Sequence, residues 1–298
     1  MATTYSHIAA NKRKSVILLA FFVLIIAALG WLVDYVGGSG TNILILAVFI
    51  SLIMSLAGYF QGDKIALWSA GAKPSQKQDN PYLYRMIENL AITSGLPMPK
   101  VYLIPDPALN AFATGRNPQR ASIAVTQGLV DNLENEELEG VLAHEMSHIG
   151  NYDIRFMMLV AVLVGIIVIF SDIFLRATLW GGMSNRRDRS SVSSIFAVMG
   201  LVLIILSPIV AQFIKLAASR KREYLADASG ALLTRYPEGL ATALEKISTS
   251  RPMLKKSNAT AHLYISNPFG RSAKGLSRLF STHPPIEERI KILRQMSH

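Results

Sequence analysis

The stretch that decides the fold and the chemistry of this 298-residue chain reads ENEELEGVLAHEMSHI and covers residues 134–149. It contains no proline and begins with acidic residues, which favour a helix N-terminus, so it predicts a helix over 132–149. His144 and His148 are four residues apart and therefore share one face of that helix. Their rings can converge on one ion with Glu145 beside it, which is the spacing of a zinc site with a catalytic carboxylate.

The type of metal follows from the residues that could bind it. The chain has no cysteine, so only histidine and carboxylate ligands remain. These suit Zn²⁺, and a catalytic zinc has three protein ligands and one open position. The sequence therefore predicts one zinc ion per chain. A third histidine six residues after His148 is excluded, because residue 154 is isoleucine.

The third ligand must then come from a distant segment, and Glu223 is the best candidate. It lies four residues before Asp227 in a segment of good helix formers. One carboxylate would bind zinc and the other would hold a zinc-bound histidine. An alternative stays open on the residues alone: the acidic pair would only balance the charges of Arg220, Lys221 and Arg222.

The composition places the chain in a membrane. It is 51% hydrophobic with a mean hydropathy of +0.33. Four runs lack charged residues, at 15–33, 35–62, 156–171 and 190–214. A spanning helix needs about 20 apolar residues, so the third run is marginal and the others are long enough. The first run is too long for a cleaved signal peptide and is interpreted as a permanent anchor.

The net charge of +10 does not indicate a nucleic-acid partner. The basic residues cluster beside the apolar runs, as at 12–14 and 215–222, which is typical of contact with acidic lipid head groups. No platform of alternating aromatic and basic residues for single-stranded nucleic acid is visible in the sequence. The predicted partners are therefore the lipid bilayer and protein substrates.

Four parts follow along the chain. Residues 1–61 form a membrane hairpin with spans at about 15–35 and 42–60. Residues 62–155 form a cytoplasmic part, because the basic amino terminus stays inside the cell. Residues 156–214 hold two further apolar segments, and residues 215–298 supply the third ligand. His148 and Glu223 must share one side, so residues 156–214 either form a hairpin or lie against the membrane.

The secondary structure predicted for the polar parts gives an α+β fold: a mainly helical membrane protein with a small mixed sheet and four apolar segments. Helices are predicted over Pro81–Ser94, over 232–247 and from the two prolines at 284–285 to 296. Short β-prone segments at 101–104, 111–114 and 122–125, bounded by proline, glycine and asparagine, predict the sheet.

Several motifs carry a family resemblance over nearly the whole chain. They lie at 96–101, 110–113, 144–148, 222–227 and 282–285. With them the chain resembles the HtpX-type membrane heat-shock proteases, relatives of the eukaryotic CAAX prenyl endopeptidases. The resemblance implies a gluzincin-like protease domain in which Glu223 is the third zinc ligand. It also implies that Asp227 supports a zinc-bound histidine.

The resemblance implies further roles that spacing does not show. An extended substrate would pair with the strand that contains Asn110, Ala111, Phe112 and Ala113. His283 would help to stabilise the oxyanion, although it could instead be only the histidine before a helix that starts with two prolines. His262 is expected to be a packed structural histidine, and Arg289 and Asn110 are weaker catalytic candidates.

The sequence as a whole predicts a membrane-anchored zinc endopeptidase that degrades unfolded or misfolded membrane proteins, placed in a bacterial plasma membrane with its site on the cytoplasmic side. The alternative is a zinc-containing membrane scaffold or holdase without proteolysis. An intramembrane protease is disfavoured, because the four carboxylates of residues 134–139 could not be buried in hydrocarbon. Substrates and oligomeric state are not specified by the sequence.

Overall fold

The structure is a computed structural model that describes residues 4–37, 41–181, 219–270 and 284–296. Helices α1 (Thr4–Gly37) and α2 (Asn42–Ser69) come first and pack against each other. Both are long and apolar enough to cross a membrane, over Ile8–Leu32 and Leu44–Ser69. Large apolar side chains such as Leu24 and Phe49 are exposed on them, as expected for helices that face lipid.

The third apolar run belongs to helix α6 (Asp153–Gly181), whose first half is buried by protein. Helix α2 packs closely against it through two glycines one turn apart. A Cβ atom at Gly58 would lie 3.1 Å from Val162, and one at Gly62 would lie 3.0 Å from Met158. Small residues four apart allow such close helix packing. The fourth run, 190–214, lies outside the described residues, so its arrangement stays a prediction.

A four-stranded mixed sheet contains all three predicted strands. The strands are β1 (Lys73–Pro74), β2 (Lys100–Ile104), β3 (Ala111–Gly115) and β4 (Ala121–Thr126), in the order β1-β2-β4-β3. β2 and β4 are parallel, and the other two pairs are antiparallel. β3 therefore lies at an edge of the sheet.

Helix α3 (Pro81–Ser94) has the predicted bounds, because both of its ends are capped. The Asn80 side chain accepts a hydrogen bond of 3.0 Å from the Leu83 amide, and Gly95 ends the helix with a φ of 67°. The remaining helices are α4 (Gln127–Asn132), α5 (Asn135–Gly150), α7 (Arg220–Thr234), α8 (Pro237–Ser248) and α9 (Ile286–Gln295).

Helix α5 carries the histidine motif and lies at the centre of the core. It starts at Asn135 because Glu134 and Glu137 form a capping box, so the predicted start at 132 is three residues early. It packs against α3, α7, α8 and β3. Helix α6 then leaves it at an angle of 85°. The two helices therefore do not form one straight membrane span.

The prediction of one helix over 232–247 is wrong, because the structure has two helices there. Arg235 ends α7 in the left-handed conformation with a φ of 54°, and Pro237 starts α8. Proline is accommodated in the first turn of a helix but cannot continue one, since it lacks the amide hydrogen. The break changes the direction of the chain, so that α8 packs against α5 and completes the core.

Contact between α5 and α8 requires a glycine at position 140. A Cβ atom there would lie 2.7 Å from the Leu240 nitrogen and 2.9 Å from its Cα atom. Both contacts are with backbone, so the two helices would have to separate. Packing of these helices fixes the axis of the helix that presents the histidines.

We expect Gly140→Ala to lower the melting temperature of the purified protein in detergent, because overpacking typically costs about 1–3 kcal/mol. The matched control is Gly165→Ala in α6, where the new methyl group would lie 3.6 Å from Ala259, an ordinary contact. That variant should melt at the wild-type temperature or slightly above it. Equal melting temperatures for the two variants would contradict the close-packing argument.

Candidate metal centre

Three buried side chains converge between α5 and α7. The Nε2 atoms of His144 and His148 are 3.2 Å apart, and Glu223 places its carboxylate oxygens 3.9 Å and 3.7 Å from them. Two nitrogens bound at 2.0–2.1 Å to a tetrahedral zinc ion are separated by about 3.3 Å. The spacing of the two histidines fits zinc, and the three residues form a group that could hold a metal ion.

The approach of α7 to α5 brings Glu223 to the histidines. A Cβ atom at Gly230 would lie 3.0 Å from the backbone nitrogen of His144, so the two helices are nearly in backbone contact there. Glu223 precedes Gly230 by seven residues, which is about two helical turns, and therefore lies on the same face. The helix predicted around residues 223–227 is confirmed as part of α7.

His144 is held by Asp227, as the sequence predicted for a zinc-supporting carboxylate. Its Nδ1–H donates to Asp227 Oδ1 at 2.9 Å, which leaves Nε2 for a metal. Burial lowers the pKa of His144, and the positive charge of Arg289 adds to this effect, although Asp227 opposes it. A neutral imidazole is the form that binds metal.

Arg289, a weaker candidate in the sequence, also belongs to the site. It is fully buried and donates two hydrogen bonds to Asp227, from Nε at 2.8 Å and from Nη2 at 2.6 Å. Burial alone would raise the pKa of Asp227, but Arg289 and His144 outweigh it and lower this pKa to about 2. Arg289 Nη1 also lies 3.5 Å from Glu223. Arg289 is therefore in contact with both carboxylates of α7, and a catalytic role for it stays a prediction.

His148 is held by Asp153, a residue that the sequence analysis missed. The His148 Nδ1 atom lies 3.1 Å from Asp153 Oδ2. Burial alone would lower the pKa of His148, but Asp153 and Glu223 outweigh it and raise this pKa to about 9. A proton therefore competes with metal at this ring. The sequence offered one signal for this contact, because the Asp153 carboxylate lies three residues beyond the end of α5, which carries the histidine motif.

Glu145 lies beside the converging ligands and is 2% exposed. Burial raises its pKa to about 7, and Glu223 adds to the shift, while the nearby His148 and a hydrogen bond from the Ala113 amide of β3 oppose it. This hydrogen bond ties the carboxylate of α5 to the edge strand. Glu145 is thus placed between the metal ligands and β3.

The other predicted site residues lie elsewhere. Asn110 bonds to the backbone of Ser266, with Nδ2 donating to its carbonyl oxygen at 2.9 Å, so it anchors β3 instead of facing the metal group. Phe112 packs edge-on against Tyr264. His262 is fully buried, with Nε2 3.0 Å from the Met157 carbonyl oxygen, as expected of a structural histidine. His283 lies outside the described residues.

The charges around the site balance with a divalent cation. Four buried carboxylates meet here, and among the residues that the structure describes two buried arginines, Arg222 and Arg289, accompany them. The carboxylates are those of Glu145, Asp153, Glu223 and Asp227. With neutral histidines, two negative charges remain, which one Zn²⁺ ion would compensate.

A His-Glu-x-x-His pair on one helix, completed by a carboxylate from a later helix, is the ligand set of a zinc metallopeptidase. Comparisons with known proteins agree with this class. Residues 77–297 match the model of peptidase family M48. The chain belongs to peptidase family M48, whose members depend on zinc.

The similar proteins extend this match to the membrane helices. A protease HtpX homologue from Caldanaerobacter subterraneus subsp. tengcongensis is 48% identical over 99% of this chain and 98% of its own length. A protease HtpX homologue from Thermoanaerobacter pseudethanolicus has the same identity and coverage. The crystal structure of S. mikatae Ste24p shares the fold, with a TM-score of 0.51 at 20% identity, over 96% of this chain and 66% of that one.

We expect Arg289→Met to destabilise the protein by about 3–5 kcal/mol, because it leaves the Asp227 carboxylate buried without its main partner. The matched control is Arg294→Met in the same helix, which removes two partly exposed ion pairs, with Glu238 and Glu245. Thermal unfolding in detergent should separate the two variants clearly, with little change for the control. If the two variants unfolded at similar temperatures, the buried pair of Arg289 and Asp227 would not be required for stability.

Proposed function

We propose that this chain is a membrane-anchored zinc endopeptidase that hydrolyses peptide bonds of unfolded or misfolded membrane proteins. The observation that carries the proposal is the convergence of His144, His148 and Glu223 with Glu145 beside them. Three ligands and a neighbouring carboxylate are typical of a catalytic zinc, whereas structural zinc normally has four protein ligands. A scaffold or holdase without proteolysis is therefore not favoured.

Each residue has a chemical role in this proposal. His144, His148 and Glu223 hold the zinc ion, which supplies Lewis acidity and lowers the pKa of water to about 7 when bound. Glu145 takes the proton of the attacking water and passes it to the leaving amine. The Ala113 amide orients this carboxylate, and its burial, which raises its pKa, favours uptake of a proton.

Strand β3 is the proposed docking edge for the substrate. Asn110 accepts the ladder bond from Thr126, so Ala111 and Ala113 turn their backbone groups to the outer edge. The Ala111 carbonyl there already accepts a hydrogen bond of 2.9 Å from Ile265. Strand addition would therefore begin at the Ala113 carbonyl, next to Glu145. Such pairing requires an extended segment, which an unfolded protein provides.

His283 remains the proposed oxyanion donor on the basis of the family resemblance alone. Asn110 is proposed to act indirectly, because its bonds to Ser266 hold the start of β3 in place. This division of roles leaves substrate recognition mainly to the backbone of β3. Cleavage preference would then depend on the pockets that flank the strand.

We further propose the four-part division of the chain at residues 61, 155 and 214, with multiple spans in a bacterial plasma membrane and the site on the cytoplasmic side. The support is the basic cluster at 12–14 before the first span and the lack of basic residues at 36–41. The chain then returns to the inner side before the sheet begins.

The central test is the pair Glu145→Gln and Glu223→Ala. Glu145→Gln should bind zinc and lose cleavage of an unfolded protein by a factor of 100 or more, on the order of the effect of a general base. Glu223→Ala should lose both zinc and activity. Zinc content and cleavage are measured on the same detergent-purified samples, and chelator-sensitive activity in the wild type is the reference. Full cleavage by Glu145→Gln would exclude it as the base.

Topology is tested by single cysteines, since the chain has none of its own. Thr41→Cys lies between α1 and α2, and Lys77→Cys lies on the sheet side of α2, and both positions are exposed. An impermeant maleimide added to intact cells should label position 41 only. After the membrane is opened, both should react. Labelling of position 77 in intact cells would place the metal site outside.

A further inference from the structure

The amino-terminal membrane helix reaches the metal centre through one buried amide. Asn11 of α1 is 5% exposed, and its Nδ2 atom donates to Asp153 Oδ1 at 2.8 Å and to the Asn151 carbonyl oxygen at 3.0 Å. The next residue, Lys12, places its ammonium 4.4 Å from the centre of the Tyr152 ring. Two consecutive residues of α1 therefore contact all three residues of the α5–α6 bend.

This bend has an unusual backbone that needs external support. Tyr152 has a φ of 59°, a left-handed conformation that costs a non-glycine residue about 1–3 kcal/mol. Asn151 follows the end of α5, where carbonyl groups have no partner within the helix. The Asn11 amide satisfies one of these carbonyls and at the same time bonds to the carboxylate that follows the bend. The Asn11 side chain therefore bonds to the residues before and after Tyr152, Asn151 and Asp153.

The two carboxylate oxygens of Asp153 have different partners, Asn11 of α1 and the proposed metal ligand His148. Oδ2 lies 3.1 Å from His148 Nδ1, while Oδ1 accepts the hydrogen bond from Asn11. The Arg222 guanidinium also acts on this carboxylate through its charge, with Nη1 3.6 Å from Oδ1. Asn11 donates to the same oxygen at the shorter distance of 2.8 Å, so its hydrogen bond contributes directly to fixing the rotation of the carboxylate.

We propose that Asn11 is a positioning residue of the metal centre, acting through Asp153 to orient His148 and thereby to set zinc affinity. The carboxylate that bonds to a ligating histidine determines the direction of its free nitrogen, and loss of such a partner typically weakens metal binding by about 10–100-fold. Asn11 lies one contact farther away, so its removal should weaken zinc binding by about 5–10-fold. Helix α1 is then a part of the zinc site as well as an anchor.

This inference rests on the proposed zinc ligands, so the test measures metal binding and not activity. The full-length chain is purified in detergent in a Glu145→Gln background, which prevents self-cleavage, and Zn²⁺ affinity is determined by competition with a chromophoric chelator. Asn11→Leu keeps the side-chain size but removes the donor. The matched control is Ser15→Ala, one turn further along α1 and also buried, whose hydroxyl bonds to the Asn11 carbonyl oxygen and not to Asp153. The control should bind zinc like the parent.

A double-mutant cycle with Asp153→Ala separates positioning from general destabilisation. If Asn11 acts through Asp153, Asn11→Leu weakens zinc binding about 5–10-fold in the parent but causes no further loss when Asp153 is alanine. Asn11→Ala, which removes the donor without adding a charge, should also weaken binding and serves if the leucine variant does not fold. Parent-like zinc affinity for Asn11→Leu or Asn11→Ala, or fully additive losses, would overturn the inference. Failure of the parent to bind one zinc would instead contradict the proposed ligand set.

Discussion

The rest of the structure depends on holding four carboxylates, all nearly inaccessible to water, within one site. Buried negative charges are very unfavourable unless cations or hydrogen bonds compensate them. Arg289 compensates Asp227 directly and lies 3.5 Å from Glu223, and Arg222 lies 3.6 Å from Asp153. When both histidines are neutral, as metal binding requires, two negative charges remain, and one divalent cation would balance them. Without the metal, a proton on His148, whose pKa is raised to about 9, compensates part of this charge. Zinc binding would therefore release protons and be linked to the folding of this core.

The proposed ligands come from two helices that are distant in sequence, α5 and α7. Two histidines at a spacing of four already occupy one face of α5, so the third ligand must approach from another element. Gly230 allows the backbone of α7 to approach that of α5 closely at His144. Asp227 and Glu223 lie at successive turns of the same α7 face, so one helix supplies both a ligand and the support of another ligand. The apolar segments between α5 and α7 must permit this approach.

The histidine motif and the elements around it could be predicted because their information is local, whereas Glu223 and Asp227 were assigned with the family resemblance. The histidine spacing, the capped helix α3 and the three short strands depend on neighbours in sequence. The error at 232–247 also had a local signal, since Pro237 was visible in the sequence. Asp153 was missed for a different reason. It reaches His148 only because the chain bends by 85° at a residue with positive φ, and no spacing rule gives that angle.

Arg289 shows a second limit of sequence reasoning. The family resemblance made it a weaker catalytic candidate, but its position 62 residues beyond Asp227 gave no indication of a partner. The pairing appears only when α9 packs against α7 and α8. Long-range ion pairs of this kind are set by helix packing, so the sequence identifies the residue types and the tertiary structure determines which of them meet.

Helices α1 and α2, which are long and apolar enough to cross a membrane, pack directly against the core that holds the site, so the apolar runs contribute to the fold of the site as well. Gly58 and Gly62 bring α2 against Met158 and Val162 of α6, and Asn11 brings α1 to the first residue of that helix. Helix α6 thus contacts both spans close to the point where it supplies Asp153 to the metal centre. Arg222 of α7 also lies 3.6 Å from Asp153, so α1, α6 and α7 meet at this carboxylate. On this geometry, the proposed ligand His148 is connected through Asp153 to the amino-terminal helix, whereas His144 is held by Asp227, which Arg289 of α9 supports.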